Sequence, residues 1–421
     1  MLSRSRWPQP YLEQTDHVRQ GGQQCANGRV SLWELVHMAD DIVQLTADDF
    51  EEAMDFLNLA FSEHGPIDFA KMLPSIYRPT DRHMANNYAI KRDGRICAIV
   101  GLFPTTWHVG DAALRVGGIG GVSAHPDLRG LGLMTVLMEH CVKLMKAQKY
   151  PLSWLGGQRQ RYLYFGYERC GNTNVFTVNK KNLKHCFEGN PDIRFEAIGP
   201  EDRERIARAK ALHDAQPMYC RRSLEDFHIY CTSRSFGLFA ALDGSGRMVG
   251  YLAANQKSDY VAELGAEDDD IVLEMLRAWV AHHSEQRATI DLAPIARNLI
   301  HRLGRICESA SVKSSGNWQV IDWAAVTDAL MKMRRLSGPM ADGAVVVGVE
   351  DYGAIRLQAA GDGAGCAATD ENPDVSCDAP TAMRLLFGPL PPSLVMPLPE
   401  VAAPLESWCP LPLTWKQQDS I

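Results

Sequence analysis

Periodic apolar positions begin near residue 40 and continue with few interruptions to the C-terminus. Residues 1–37 differ: polar, rich in Gln and Gly and without periodicity, they read as disordered or as a non-native extension, with Met38 the natural start. From there the pattern predicts a strand at 41–45 and a helix at 47–62, capped by Thr46 with Asp48 and Asp49 in its first turn. Strands at 88–91 and 96–104 flank Arg92-Asp93-Gly94-Arg95, a hairpin turn by composition. Strands at 105–109 and 114–124 follow, broken by Gly110-Asp111, then a helix to about Gln148 and strands at 153–155 and 174–178.

The next third repeats that order: strand 193–197, helix 200–214, a hairpin of 237–242 and 248–255, strand 259–264, helix 268–286, strand 288–292 and helix 296–303. The last third has strands at 318–322 and 344–349, a helix at 324–333, a helical turn at 381–387, and a small, polar run at 361–378 that reads as a loop. The chain ends on two tryptophans, Trp408 and Trp415, among alternating prolines, which predicts a tail tied to the protein surface or a groove.

The stretch from Gly121 to Met138 carries the first chemical signal. Val122, Ser123 and Ala124 end a strand, His125-Pro126-Asp127 turn, and Arg129-Gly130-Leu131-Gly132 open an apolar helix. Glycines let backbone approach a ligand closely, and the first helical turn aims unpaired N–H groups outward at the positive end of the dipole. Such a turn cradles a pyrophosphate. The turn in the corresponding place of the second third, 265–270, holds Glu267, Asp268, Asp269 and Asp270, which would repel one.

Bulk properties narrow the class. A chain of 421 residues exceeds one compact core, so two to four domains are expected. The formal net charge of −8 argues against nucleic-acid binding and mildly favours a cationic substrate. No apolar run approaches the ~18 residues of a membrane span. Eleven scattered cysteines without metal spacing fit reduced thiols in a cytoplasm, and no metal is expected.

The motif V-S-A-H-P-x-x-R-G-x-G before a helix, followed about thirty residues later by Tyr162-Leu163-Tyr164-Phe165-Gly166-Tyr167-Glu168, resembles the Gcn5-related N-acetyltransferase (GNAT) superfamily. Met134 departs from it, standing where a small residue is usual. The tandem order with a third α/β unit and an anchored C-terminus resembles the enhanced intracellular survival (Eis) type of acetyltransferase. The resemblance implies an α/β (α+β) chain of two GNAT folds with mixed sheets, and a C-terminal sterol-carrier-protein-2-like domain. The expected divisions are a catalytic domain at 38–180 binding acetyl-CoA, a second GNAT-like fold at 181–308 without a CoA site, and the third domain at 309–421.

By the same resemblance, backbone groups of Arg129, Gly130, Leu131, Gly132, Leu133, Met134 and Thr135 would hold the pyrophosphate, with Gly157 and Gln158 in the same site. Val122, Ser123 and Ala124 would pair with the pantetheine as an added strand. Tyr162, four residues before the glycine of F-G-Y, would be the general acid, leaving Tyr164 and Tyr167 to packing. The terminal carboxylate of Ile421 would be the base. Glu63 and His64 are candidates for the amine pocket, and His125 for turn geometry. The implied activity is direct acetyl transfer to a primary amine: an aminoglycoside-like or other cationic small molecule, or a lysine side chain. A homo-oligomer, by resemblance a hexamer, is implied as well. A lipid- or sterol-binding protein using the third domain, or an acyl-CoA sensor without turnover, are the alternatives.

Overall fold

A computed structural model describes residues 42–421 apart from 63, 64, 66, 284 and 285. The proposed extension at 1–37, the start at Met38, and the Glu63 and His64 assignments lie outside the described residues. The chain begins with β1 (Ile42–Gln44), α1 (Phe50–Phe61) and two short helices, α2 (Phe69–Met72) and α3 (Asp81–Met84). The hairpin β2 (Asn87–Arg92) and β3 (Arg95–Val109) follows, then β4 (Ala112–Ala124), α4 (Leu133–Ala147), β5 (Leu152–Leu155), α5 (Arg159–Leu163) and β6 (Glu168–Cys170). Asp93 and Gly94 both have positive φ, 50° and 75°, the signature of a two-residue hairpin loop.

The two strands expected at 96–104 and 105–109 are one 15-residue strand. Pro104 does not interrupt it, for a simple reason. On that side β3 pairs with β2 only as far as Gly101 and with another strand only from Trp107 onward, so no ladder bond is asked of Pro104.

Next come β7 (Thr173–Asn179), α6 (Lys180–Cys186), β8 (Arg194–Ala197), α7 (Arg203–Asp214), β9 (Met218–Cys220) and α8 (Leu224–Thr232). They lead to β10 (Gly237–Leu242), β11 (Met248–Ala254), β12 (Tyr260–Ala266), α9 (Asp269–His282), β13 (Arg287–Leu292), α10 (Arg297–Gly304) and β14 (Ser309–Lys313). The remainder is β15 (Gly316–Val320), α11 (Trp323–Leu336), β16 (Gly343–Val349), β17 (Gly353–Ala360), β18 (Gly363–Thr369), β19 (Val375–Cys377), α12 (Ala379–Phe387), α13 (Pro392–Val395) and α14 (Leu405–Trp408).

The first sheet runs β1-β2-β3-β4-β5-β15-β6, and the second, in matching order, β8-β10-β11-β12-β13-β7-β14. In both, the fourth and fifth strands are parallel and their neighbours antiparallel. Each sheet takes its sixth strand from the other half of the chain. β15 inserts between β5 and β6, while β7, which follows β6 directly, pairs with β13 and β14. The expected cuts at 180 and 308 therefore do not follow the sheets. At the crossover Gly171 has φ +74° and abuts the tail so closely that a Cβ would lie 2.6 Å from the Leu413 carbonyl.

The third sheet is β18-β17-β16-β19. Two of its strands, β18 and β19, fall in the run 361–378 expected to be a loop. The composition misleads because small residues are what this strand needs: a Cβ on Gly365 would meet Asp328 of α11 at 2.9 Å, and the same carboxylate accepts from Cys366 N at 3.0 Å.

The C-terminal tail is docked, as its tryptophans predict. Trp408, Leu411 and Leu413 are fully buried, and Trp415 stacks on Trp154 with ring centroids 5.7 Å apart. Asn172 holds the tail from the crossover, its N–H donating to the Leu413 carbonyl at 2.8 Å and its amide to that of Leu411 at 3.1 Å. Each buried leucine contributes roughly 1.5–3 kcal/mol, ample to keep a terminal segment from fraying.

Candidate functional site

Strands β4 and β5 pair in parallel from Val116–Leu152 to Ile119–Leu155 and no further. Beyond that point β4 bulges: its register against β3 shifts between Ile99 and Gly101, and Gly121 takes φ +60°. Ser123 and Ala124 remain paired to β3 on one side only, so Val122, Ser123 and Ala124 turn a free backbone edge into the resulting cleft.

At the mouth of that edge lies the glycine turn. Gly130 and Gly132 have φ of +86° and +76°, and a Cβ on Gly130 would meet nothing within 4 Å. Gly132 is the N-cap of α4 and brings no capping side chain. The first helical bond closes from Val136 N to Gly132 O, leaving the N–H groups of Leu133, Met134 and Thr135 directed outward. Met134 is half-buried against the core beneath α4, so its bulk leaves those donors uncovered. The geometry fits a pyrophosphate. Arg129 reaches back to the Ala60 carbonyl at the end of α1 at 3.5 Å. His125 accepts from Asp127 N at 3.3 Å, the turn role expected of it.

The second fold repeats the splay, its parallel pair running only through Tyr260–Thr289 and Val261–Ile290. Its acidic turn is consumed internally: Asp268 caps α9 by accepting from Ile271 N, Asp269 accepts from Asn298, Asp270 pairs with Arg302, and Glu267 with Arg208 and Arg247.

Tyr162 lies on α5, a helix the spacing did not predict, packed in the same core as Ile119, Leu133 and Leu155. Its ring rests on Gly157, whose φ of +116° and missing Cβ make room; a Cβ there would be 2.9 Å from the ring. Gln158 is the N-cap of α5. Arg159 clasps the fully buried Glu168 in a bidentate pair, its Nε and Nη2 each donating to one carboxylate oxygen, fixing the helix that carries Tyr162. Burial raises the Tyr162 phenol above its ordinary value, against a smaller opposing effect of Arg161. Tyr167 is a core residue whose hydroxyl bonds Ser153 at 2.6 Å. Tyr164 is not: it is 90% exposed, because the short α5 turns that side of the motif outward.

Ile421 ends beside the splay. Its side chain fills the space above Gly118 and Gly120, where any Cβ would overlap it, in a cluster with Leu57, Tyr77 and Phe103. The residues that hold it there have no sequence motif. Arg222, 2% exposed, donates to Asp419 at 2.8 and 3.0 Å and to Glu263 at 2.7 and 2.9 Å. Glu263 also accepts from Tyr251 at 2.9 Å. Burial pushes the Glu263 carboxyl up, but Arg222, His213 and Lys416 together outweigh it and hold the group well below the usual carboxylate range. Gln418 donates to the Cys231 carbonyl at 2.6 Å and Arg234 to the Ser420 carbonyl at 3.3 Å. Arg234 and Ser235 both adopt positive φ, 60° and 63°, a conformation that costs of order 1–3 kcal/mol per residue and sets Arg234 beside the tail.

Tyr77 was also invisible to sequence reasoning. It is fully buried, its hydroxyl has no hydrogen-bond partner among the described residues, and it faces Gly121, where a Cβ would lie 2.8 Å away. Among the described residues no group of three or more His, Cys, Asp and Glu side chains is placed to hold a metal. Nor is any helix among them long and apolar enough to cross a membrane.

Residues 41–170 match the acetyltransferase (GNAT) domain family. No curated protein matches the chain. Among solved structures, the fold is similar to a GCN5-related N-acetyltransferase from Kribbella flavida at 17% identity and TM-score 0.62, covering 87% of this chain and 95% of that one. It is similar to a probable N-acyltransferase from Enterococcus faecalis at 14% identity and TM-score 0.64, with 89% and 97% covered. Eis1 from Mycobacterium abscessus is 14% identical with a TM-score of 0.61, covering 90% of this chain and all of its own.

Proposed function

We propose that this chain, which carries a GNAT acetyltransferase domain at 41–170, is an acetyl-CoA-dependent N-acetyltransferase of Eis-like architecture that transfers the acetyl group directly to a primary amine. The observation that carries the reading is the meeting of three features at the end of β4: the splayed edge, the glycine turn, and the chain's own last residue seated on Gly118 and Gly120.

In this reading the N–H groups of Gly130, Gly132, Leu133, Met134 and Thr135 bind the pyrophosphate, those of Arg129 and Leu131 being turned to the Pro126 and Leu128 carbonyls; the edge of Val122, Ser123 and Ala124 pairs with the pantetheine, and Gly157 and Gln158 form the opposing wall. A backbone N–H freed at the Gly120–Gly121 bulge polarises the thioester carbonyl. The amine nitrogen bonds to the carbonyl carbon and the C–S bond breaks. Tyr162 gives its proton to the leaving thiolate, and the terminal carboxylate of Ile421 takes the proton lost by the amine. Because burial raises the Tyr162 phenol, it stays protonated across neutral pH and is available as donor. No cysteine nucleophile is required: Cys97, Cys141 and Cys170 of this domain are buried, and burial pushes the Cys141 thiol up to about 12.

A lipid-binding role for the third unit has less support. The face of its sheet is filled by the chain's own Leu385, Leu386, Phe387, Leu405, Trp408 and Leu411, which form one packed cluster with Val345, Val347, Ile355 and Leu357. The test is thiol release from acetyl-CoA against a panel of amines for the wild type, Tyr162→Phe and a chain lacking Ser420 and Ile421. Large losses in both variants are expected. Full activity after truncation would remove Ile421 from the mechanism, and CoA binding without turnover on any amine would favour a sensor.

A further inference from the structure

We propose that the acceptor of this enzyme is a small amine carrying a carboxylate of its own, bound by Arg82 and Arg221. The inference rests on the acetyl-transfer reading and adds the acceptor's chemical class.

A cavity of about 290 Å³ opens beside Ile421 on the face of β4 occupied by the tail. Its inner wall is Ser420 with Phe103 and Ile421, the latter two lying against Gly118 and Gly120 of β4. Its outer wall is Arg82 and His83 from α3, and Arg221, Asp226 and Tyr230 from the segment around α8. A molecule entering therefore meets the arginines with one end and the reacting region with the other.

The charges lining this cavity balance formally but are not equally engaged. Asp226 is engaged by Arg78 at 2.8 Å and by the Ser223 hydroxyl at 2.8 Å. Asp419 is engaged by Arg222, which also carries Glu263. Arg82 and Arg221 are exposed in the cavity wall, and neither side chain has an ion pair or hydrogen bond with another described residue. Arg234, close to the tail tip, has a backbone carbonyl as its partner and no carboxylate. Among the described residues lining the cavity, the anion not engaged by an arginine is the terminal carboxylate of Ile421, which the amine end of the acceptor uses. His83 reports the same local field: burial, then Arg78 and Arg82, lower its pKa against a weaker opposing pull from Asp226.

An unpaired guanidinium in a concave wall presents a fork of donors matched to a carboxylate. A polycation in the same place would face two like charges at short range. The chain's overall charge of −8 is thus no guide to this pocket, where the formal charges of the lining balance and the cations left without an anionic partner are Arg82 and Arg221.

The test compares matched pairs: L-glutamate, β-alanine and γ-aminobutyrate, each against its carboxamide, with a polycationic aminoglycoside alongside. Thiol release is measured for the wild type and for the double variant Arg82→Gln, Arg221→Gln, and acetyl-CoA binding serves as the check on folding. In the wild type, at least one acid is expected to exceed its carboxamide tenfold or more in kcat/KM, with the aminoglycoside poorer still. In the double variant that ratio falls to about one, the loss lying in KM for the acid. A preference for the carboxamides or the aminoglycoside, or an unchanged ratio in the variant, would overturn the proposal. The same pairs are titrated by calorimetry into the CoA-loaded protein. Acid-selective binding that the variant loses, without turnover on any amine, would uphold the pocket assignment and overturn acetyl transfer. Turnover without acid preference would do the reverse, and neither binding nor turnover would overturn both.

Discussion

The seat of Ile421 on β4 can be challenged by a single methyl group. In Gly118→Ala the new Cβ occupies the position of the Ile421 side chain, and the Phe103 carbonyl at 3.3 Å blocks retreat of the methyl on the other side. Backbone of a central strand does not yield, so the terminal side chain must. Full burial of an isoleucine is worth roughly 1.5–3 kcal/mol, and Ile421 is half-buried, so losing its seat shifts the docked state of the tip by about 1–2 kcal/mol. That corresponds to a factor of roughly 5–30 in the ratio of docked to detached tips, the most by which the docked population can fall. The anchors at Trp415, Gln418 and Asp419 are untouched, so the fold should persist while the tip detaches. If the terminal carboxylate is the base, kcat for thiol release should fall by up to that factor, with acetyl-CoA affinity by calorimetry close to wild type. Trimming the tail in the double variant Gly118→Ala, Ile421→Ala makes room for the methyl and should restore part of the loss, a favourable coupling of ~0.5–3 kcal/mol. Unchanged kcat in Gly118→Ala, or a double variant no better than the single one, would refute the reasoning.

Tyr162→Phe should lower kcat by roughly 10²–10⁴ with little change in KM for acetyl-CoA, since a positioned general acid contributes about that much; a tenfold loss or less would demote it to packing. Tyr77→Phe removes a buried hydroxyl that has no partner among the described residues and should raise thermal stability, by about 1–3 kcal/mol on the cost of leaving such a group unmet. A simultaneous drop in kcat would assign that hydroxyl to the bound reactants, and unchanged kcat would confine it to the core. Arg222→Met strands Glu263 and Asp419 in the interior and should cost about 3–5 kcal/mol in denaturant unfolding. Glu263 also makes stability pH-dependent. Its folded pKa is depressed, so its contribution is present above the ordinary carboxyl value and lost as pH falls through and below it. The stability of Glu263→Gln should therefore vary less with pH below about 4.5 than that of the wild type; equal acid slopes would count against the assignment.

Much of the local structure was readable from the chain alone. The Asp93-Gly94 hairpin and the glycines before α4 each follow from interactions among residues a few positions apart, and the tryptophans and prolines of the tail show that it must dock without showing where. In the first two the chemistry of each side chain or backbone group acts on its immediate neighbours. Where composition misled, at 361–378, the small residues answer to a helix packed against the strand rather than to a loop. The exchange of β7 and β15 between the two sheets has no such trace, because β6 and β7, read locally, would form one hairpin. The grip of Arg222 on Asp419 spans 197 positions, and nothing near either residue marks it. The same holds for Tyr77 facing Gly121 and for the arginines around the acceptor cavity. The sequence determined where backbone is available to bind an anion, because glycine conformation and helix termini are local properties. Which side chains meet that backbone, and with what net charge, was decided by strand pairing and tail docking over long separations, where only the folded packing brings the partners together.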